Sequence, residues 1–295
     1  MIARVTATMT TEEVRFNGLR ALRCTASGLT VVVALDVGPR VLALARDGGP
    51  NVFAELPNEM IGDYHLYGGH RLWTAPEDAA RTYRPDDDPV DLALTDGGVA
   101  VTGPADADGI SRRITLSLGA DGARVAVAHE LRNQGSGTHE LAPWAITQVP
   151  LGGVARLPMA PMEPDALLPA RSIVLWPYTD LDDPRLRLAN DAVSLDASID
   201  AGGARLKVGV PNAVGRCSYT RDGWRFTKHV ELAAPPVAGR GVSGSVDLGA
   251  TLQAFADGRF AELETLGELR RLGPGDAVEH HELWELRRTD ATDTV

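Results

Sequence analysis

Thiols are almost missing from the 295 residues: Cys24 and Cys217 are the two cysteines present. That number implies neither a disulfide framework nor a cysteine-based metal site. Lysine is as scarce, with Lys207 and Lys228 standing beside 27 arginines among the 29 basic residues. The bias fits a GC-rich coding sequence better than any chemistry, and it makes each lysine worth following. No cluster of Lys and Arg relieves the net charge of -11, which argues against nucleic acid, since phosphate binding needs grouped cations that release counterions. Long apolar runs are missing too. The opening "MIARVTATMT" has no secretory core, and "LTVVVALDVGPRVLALA" is broken by Asp36, Pro39 and Arg40, leaving it too short and too polar to span a bilayer. A cytoplasmic protein with no membrane or nucleic-acid partner is the expectation.

Long amphipathic helical patterns are also lacking, which excludes a sheet built from parallel βαβ units. What recurs instead is short apolar or alternating runs such as "LRALRCTA", "RRITLSL", "ARVAVAHEL" and "RFTKHVEL", punctuated by "DGG", "ADG", "QGSG" and "RDG". Successive antiparallel strands and hairpins need that punctuation. With 44% hydrophobic residues the chain can bury a substantial core, and two packed antiparallel sheets are the economical solution. The expected architecture is all-β, a large antiparallel sandwich forming one domain over residues 1–295. "APEDAARTY" is expected to make about two helical turns opened by Pro76. "RPDDDP" at 84–89 reads as a solvated loop, and the Pro-rich 156–170 as a long irregular excursion.

Two stretches carry chemistry. In "YGGHRLWTAPE", residues 67–77, Gly68 and Gly69 would let the backbone approach a ligand closely. His70 and Arg71 are polar contacts, Trp73 a stacking surface, and Glu77 a contact or a helix-start residue. In "GRFAELETLGELRRLGPGDAVEHHELWEL", residues 258–286, alternation along a strand puts Glu262 and Glu264 on one face. Paired carboxylates repel, which raises the pKa of one and prepares it for proton transfer; the plainer alternative is two solvated glutamates on an edge strand. His280 and His281 face opposite ways, so they do not share a metal, and no metal or cofactor is expected. Trp176, Trp224 and Trp284 are assigned to core packing.

"FAELETLGELRRLGPGD" followed by "HHELWEL" resembles the C-terminal signature of the galactose mutarotase-like superfamily. "LDVGPRVLALARDGGPNVFAE", "YGGHRLWTAPE", "ELRNQGSGTHELAPWAITQVPLGG" and "DGWRFTKHVEL" are similar, in order, to its uncharacterised bacterial members. The resemblance implies a β-supersandwich with a concave sugar-binding face. In the aldose 1-epimerases of that superfamily a glutamate in a Leu-Glu-Thr context takes the anomeric hydroxyl proton and a histidine protonates the ring oxygen. Leu263-Glu264-Thr265 fits that context and marks Glu264 as the base. The histidine position reads Pro143-Trp144, a departure that leaves His70 or Lys228 as the acid and Trp144 as a ligand wall, with Arg71, Trp73, Glu262 and Glu77 as binding residues. Three functions follow as alternatives: anomer interconversion by general acid–base catalysis on a small carbohydrate, carbohydrate binding without turnover, or the same scaffold recruited to another lyase or isomerase reaction.

Overall fold

The computed structural model describes residues 9–95, 97–168, 170–231 and 246–289. Among these residues there is no α-helix, and none long and apolar enough to cross a membrane. An eleven-stranded and a ten-stranded sheet, both antiparallel, account for most of the strands. A two-stranded ribbon, Glu55–Ile61 with Tyr64–Gly68, stands apart.

Local sequence explains the strands. The closing strand Ala277–Arg288 alternates buried Val278, His280, Glu282, Trp284 and Leu286 with more exposed neighbours, as one half-covered sheet face demands. Two-residue hairpins form at Asn17-Gly18 and Asp222-Gly223, where both residues have positive φ, the backbone that matches strand twist in a tight turn.

Between the two sheets lies the larger core, with Leu72, Val208 and Leu263 from the eleven-stranded sheet meeting Val127, Phe226 and Trp284 from the other. The middle of the eleven-stranded sheet runs, in spatial order, His70–Ala75, His139–Val149, Ala261–Leu266, Leu252–Ala256 and Leu206–Val210. His70–Ala75 and Ala261–Leu266 are buried at every position. Both faces of these strands are therefore covered, and their outer face carries a second apolar cluster that includes Tyr64, Trp73, Trp144, Phe260 and Leu266.

Three local expectations change. "APEDAARTY" forms turns, not a helix: the Asp78 carboxylate caps it by accepting the backbone N–H groups of Ala80 and Arg81, the Thr82 N–H closes one turn on the Asp78 carbonyl, and Pro85, which disfavours helical backbone at Arg84, stops it there. "RPDDDP" is not merely solvated: Asp86 binds buried Arg40 at 2.8 Å, and Asp87 accepts the Tyr67 hydroxyl at 2.9 Å. Gly68 and Gly69 make room for backbone. A Cβ on Gly68 would stand 2.0 Å from the Ala54 carbonyl oxygen, and one on Gly69 2.1 Å from that of Val41.

Candidate functional site

Strand alternation and register assemble the outer face of the central strands. Trp73 pairs with Trp144, and Trp144 with Leu266. One row down, Arg71, Ile146, Glu264, Gln253 and Gly209 lie side by side on five strands. The next row holds Gln148, Glu262, Phe255 and Lys207. Because cross-strand partners share a face, Arg71, Trp73, Trp144, Glu262 and Glu264 come together there. Glu77 sits at the exposed rim, where it accepts the Tyr83 hydroxyl at 2.5 Å.

The two carboxylates have different partners. Glu264 is fully buried, and its Oε2 accepts the Trp144 indole N–H at 2.7 Å and the Lys207 ammonium at 2.8 Å. That ammonium lies 4.8 Å and 4.7 Å from the ring centroids of Trp144 and Trp176, so two indole faces and one carboxylate enclose it. Glu262 Oε1 instead accepts from Arg71 Nη2 and Gln148 Nε2, each at 3.1 Å. Burial pushes the Glu262 carboxyl up to about 7, and the Glu264 charge adds to the rise while Arg71 and Lys207 oppose it. The Tyr178 hydroxyl is raised by burial and by the nearby charges of Glu264 and Glu77.

Five polar atoms on this face have no hydrogen-bond partner among the described residues: Arg71 Nε and Nη1, Gln148 Oε1, Gln253 Oε1 and Glu264 Oε1. Each buried polar atom left without a partner costs about 1–3 kcal/mol. As a set they offer donors from one guanidinium and acceptors from three other side chains. A cavity of about 400 Å³ is lined by Tyr178, Asp180, Asp182 and Arg205 among others, and neither Glu262 nor Glu264 reaches its wall. Trp73 is less free to stack than its sequence context implies, since the Arg71 guanidinium lies 4.2 Å from its ring centroid and the edges of Tyr64, Tyr83 and Trp144 surround it.

His70 and Lys228 are placed elsewhere. Alternation turns His70 to the opposite face from Arg71, and Lys228 belongs to the other sheet, so both point into the core between the sheets. They meet a buried polar cluster there. His129 Nδ1 lies 3.0 Å from the His280 carbonyl oxygen, His70 Nε2 lies 2.8 Å from His129 Nε2, and His70 Nδ1 lies 2.8 Å from the Thr147 hydroxyl. A carbonyl only accepts, so His129 donates from Nδ1 and accepts at Nε2; His70 then donates from Nε2 and accepts the Thr147 hydroxyl. Both rings are neutral in this chain. Burial agrees, lowering His129 to about 3 and His70 well below the usual histidine range.

Donor atoms of His70, His129 and Glu282 lie within 4.8 Å of one another, a spacing that invites a metal. Yet each ring nitrogen is already matched, and Glu282 holds the Lys228 ammonium at 2.9 Å together with the Trp284 indole N–H at 2.6 Å. Without Lys228, burial would raise the Glu282 carboxyl; with it, the group sits well below the usual range. The cluster is electrically complete as a network of side chains.

Lys207, Gln148, Gln253 and Trp176 are site-face residues that motif reading passes over. Two of them left a trace: Lys207 is one of only two lysines, and Gln148 is the polar interruption of "APWAITQV" four positions after Trp144. Trp176, assigned to packing from sequence, is half-buried over Lys207.

Searches against family models and curated proteins find no match. Solved structures do match. A galactose mutarotase-like protein from Lactobacillus casei superimposes with a TM-score of 0.59 at 10% identity, over 90% of this chain and 100% of that one. Another from Clostridium acetobutylicum gives 0.54 at 9% identity, over 96% and 99%. A TPR-domain containing protein from Parabacteroides distasonis gives 0.60 at 12% identity; 94% of this chain is matched, but it spans about half of that protein, 49%. Identities this low establish architecture and not activity, and the architecture is established: the chain has the galactose mutarotase-like fold.

Proposed function

We propose that this protein binds a small carbohydrate on the outer face of the eleven-stranded sheet and exchanges its anomers by proton transfer, with Glu264 as base and Glu262 as acid. The observation that carries this reading is one strand presenting two carboxylates in unlike environments, Glu264 bonded to Lys207 and Trp144, and Glu262 pushed up to about 7. Two carboxyl groups held in unlike environments can divide acid and base work between them. Glu264 takes the proton of the anomeric hydroxyl while Glu262 delivers one to the ring oxygen. The bond between C1 and the ring oxygen breaks, the carbonyl rotates, and the reverse transfers close the ring on either face. Arg71, Gln148 and Gln253, with buried atoms that find no partner among the described residues, supply donors and acceptors for the hydroxyl groups.

The test is anomer exchange by NMR over a panel of aldoses and uronic acids. The acid form of Glu262 is required, so the rate falls as pH rises above about 7, and Glu262→Gln removes that limb along with most of the rate. A stability effect accompanies it. The folded-state pKa of Glu262 is raised from 4.5, so the stabilisation of its neutral form is complete below pH 4.5 and is lost as pH rises through about 7. Thermal unfolding at pH 5 and pH 8 should show that loss in the wild type and a smaller one in Glu262→Gln.

A second reading, recognition without turnover, is favoured by Trp144 standing where the resemblance places a histidine and by Glu264 Oε2 being already engaged by the Lys207 ammonium and the Trp144 indole. Trp73→Ala should then weaken sugar binding about tenfold, since an aromatic contact contributes roughly 0.5–1.5 kcal/mol and Arg71 loses the ring it lies over. Titration with line broadening separates the two readings: binding with no acceleration of exchange supports recognition alone.

A further inference from the structure

The buried polar cluster between the sheets touches the site strands from behind at a particular set of atoms. Lys228 Nζ donates to the carbonyl oxygens of Ala145 at 3.0 Å and Leu263 at 3.4 Å. Ala145 follows Trp144, and Leu263 lies between Glu262 and Glu264. Glu282, the ion partner of Lys228, accepts the hydroxyl of Thr265, the residue after Glu264, and the same hydroxyl lies 2.9 Å from His280 Nε2. On a third strand, His70 precedes Arg71 and binds Thr147, which precedes Gln148. Site residues on all three strands thus have a neighbour, one position away, tied into one network, and the ion pair at its centre belongs to the opposite sheet.

We infer that the Lys228–Glu282 pair is a positioning device for the site, fixing through Ala145, Leu263 and Thr265 where the Trp144 indole and the Glu264 carboxylate stand. A core between sheets is built most cheaply from hydrocarbon, and a buried pair replaced by apolar groups is commonly neutral in stability. Here the pair holds main-chain oxygens of two adjacent strands at one point, a constraint that apolar contacts do not supply. The inference rests on the proposed use of the site face for its catalytic readout, and on geometry alone for its spectroscopic one.

The variant to make is Lys228→Met with Glu282→Gln, which removes both charges together, leaves no buried ion, and keeps an acceptor for the Trp284 indole. Circular dichroism establishes that it folds. In the folded variant the Trp144 indole N–H resonance, bonded to Glu264 in the wild type, should move upfield and exchange with solvent about tenfold faster or more. The kcat for anomer exchange should fall about 100-fold with KM changed far less, as expected for displaced catalytic groups. A folded variant with the Trp144 resonance and kcat unchanged overturns the inference. If the wild type itself exchanges no anomers, the functional reading fails and the indole resonance alone decides the positioning role. Should the double variant not fold, Thr265→Val deletes one hydroxyl of the network at nearly equal size: the same shift of the Trp144 resonance supports the inference, and an unmoved resonance refutes it.

Discussion

Glu264→Gln should lower anomer exchange by about a hundred- to ten-thousandfold, the range that one acid–base group contributes, while the protein still binds sugar. The substituted amide keeps the shape of the carboxylate and an oxygen able to accept the Trp144 indole N–H, so the wall of the site stays in place. What it loses is basicity, and with it the negative charge that helps raise Glu262. Two consequences accompany the drop. Lys207 is left between Trp144 and Trp176 beside a neutral amide in place of its carboxylate, which destabilises the fold moderately, because a buried ammonium loses its counter-charge. The Glu262 titration shifts below its present position near 7, since one of the charges raising it is gone; NMR of a carboxyl-labelled sample reads that shift directly. Full exchange in the variant would remove Glu264 from the mechanism. Lost exchange with unaltered Glu262 titration would separate the two carboxylates and leave Glu264 acting alone.

The architecture was legible in the sequence because strand alternation is a local property. "AVEHHELWELRR" announces its own inward face, and the glycine punctuation announces the hairpins. Alternation also placed Glu262 with Glu264 on a shared face. Which face of the sheet a residue occupies relative to residues on other strands is a different matter, since it depends on register across hundreds of positions. His70 sits next to Arg71 in sequence, yet that single step carries it through the sheet into the core. Lys228 lies on a strand that looks suited to line a site, but the strand belongs to the other sheet. The lysine that meets Glu264 is Lys207, 57 residues away, and only its rarity marked it. Glycines mislead for a related reason: Gly68 and Gly69 admit carbonyl groups of neighbouring segments, and the chain pattern alone does not distinguish that from admitting a ligand. Trp144 departs from the resemblance, and the structure gives it a role of its own, an indole donor to Glu264.

Lys228→Met made alone should be among the most destabilising single substitutions in this chain, costing about 3–5 kcal/mol at neutral pH, because it leaves a buried carboxylate without its counter-charge. Glu282 is fully enclosed, and after the loss the Thr265 hydroxyl, the Trp284 indole and the His280 ring, whose Nε2 lies 3.6 Å away, remain to hold it without a neighbouring lysine. The pH dependence identifies the cause. In the wild type Glu282 is held well below 4.5 by Lys228, so its contribution is present above that pH and is lost only as pH falls through the depressed folded-state value. In the variant burial, the largest influence on this carboxyl, is opposed by the His280 contact and no longer by the lysine charge, so the folded-state pKa rises above 4.5 and the penalty grows as pH climbs through that raised value. The gap between wild type and variant should therefore be widest near pH 7 and narrow toward pH 5, in urea unfolding followed at both. Adding Glu282→Gln to Lys228→Met should recover most of the loss at pH 7, since no charge then remains to be buried unpaired. A gap of equal size at both pH values would mean that the lysine stem contributes packing and that the ion pair carries little of the stability.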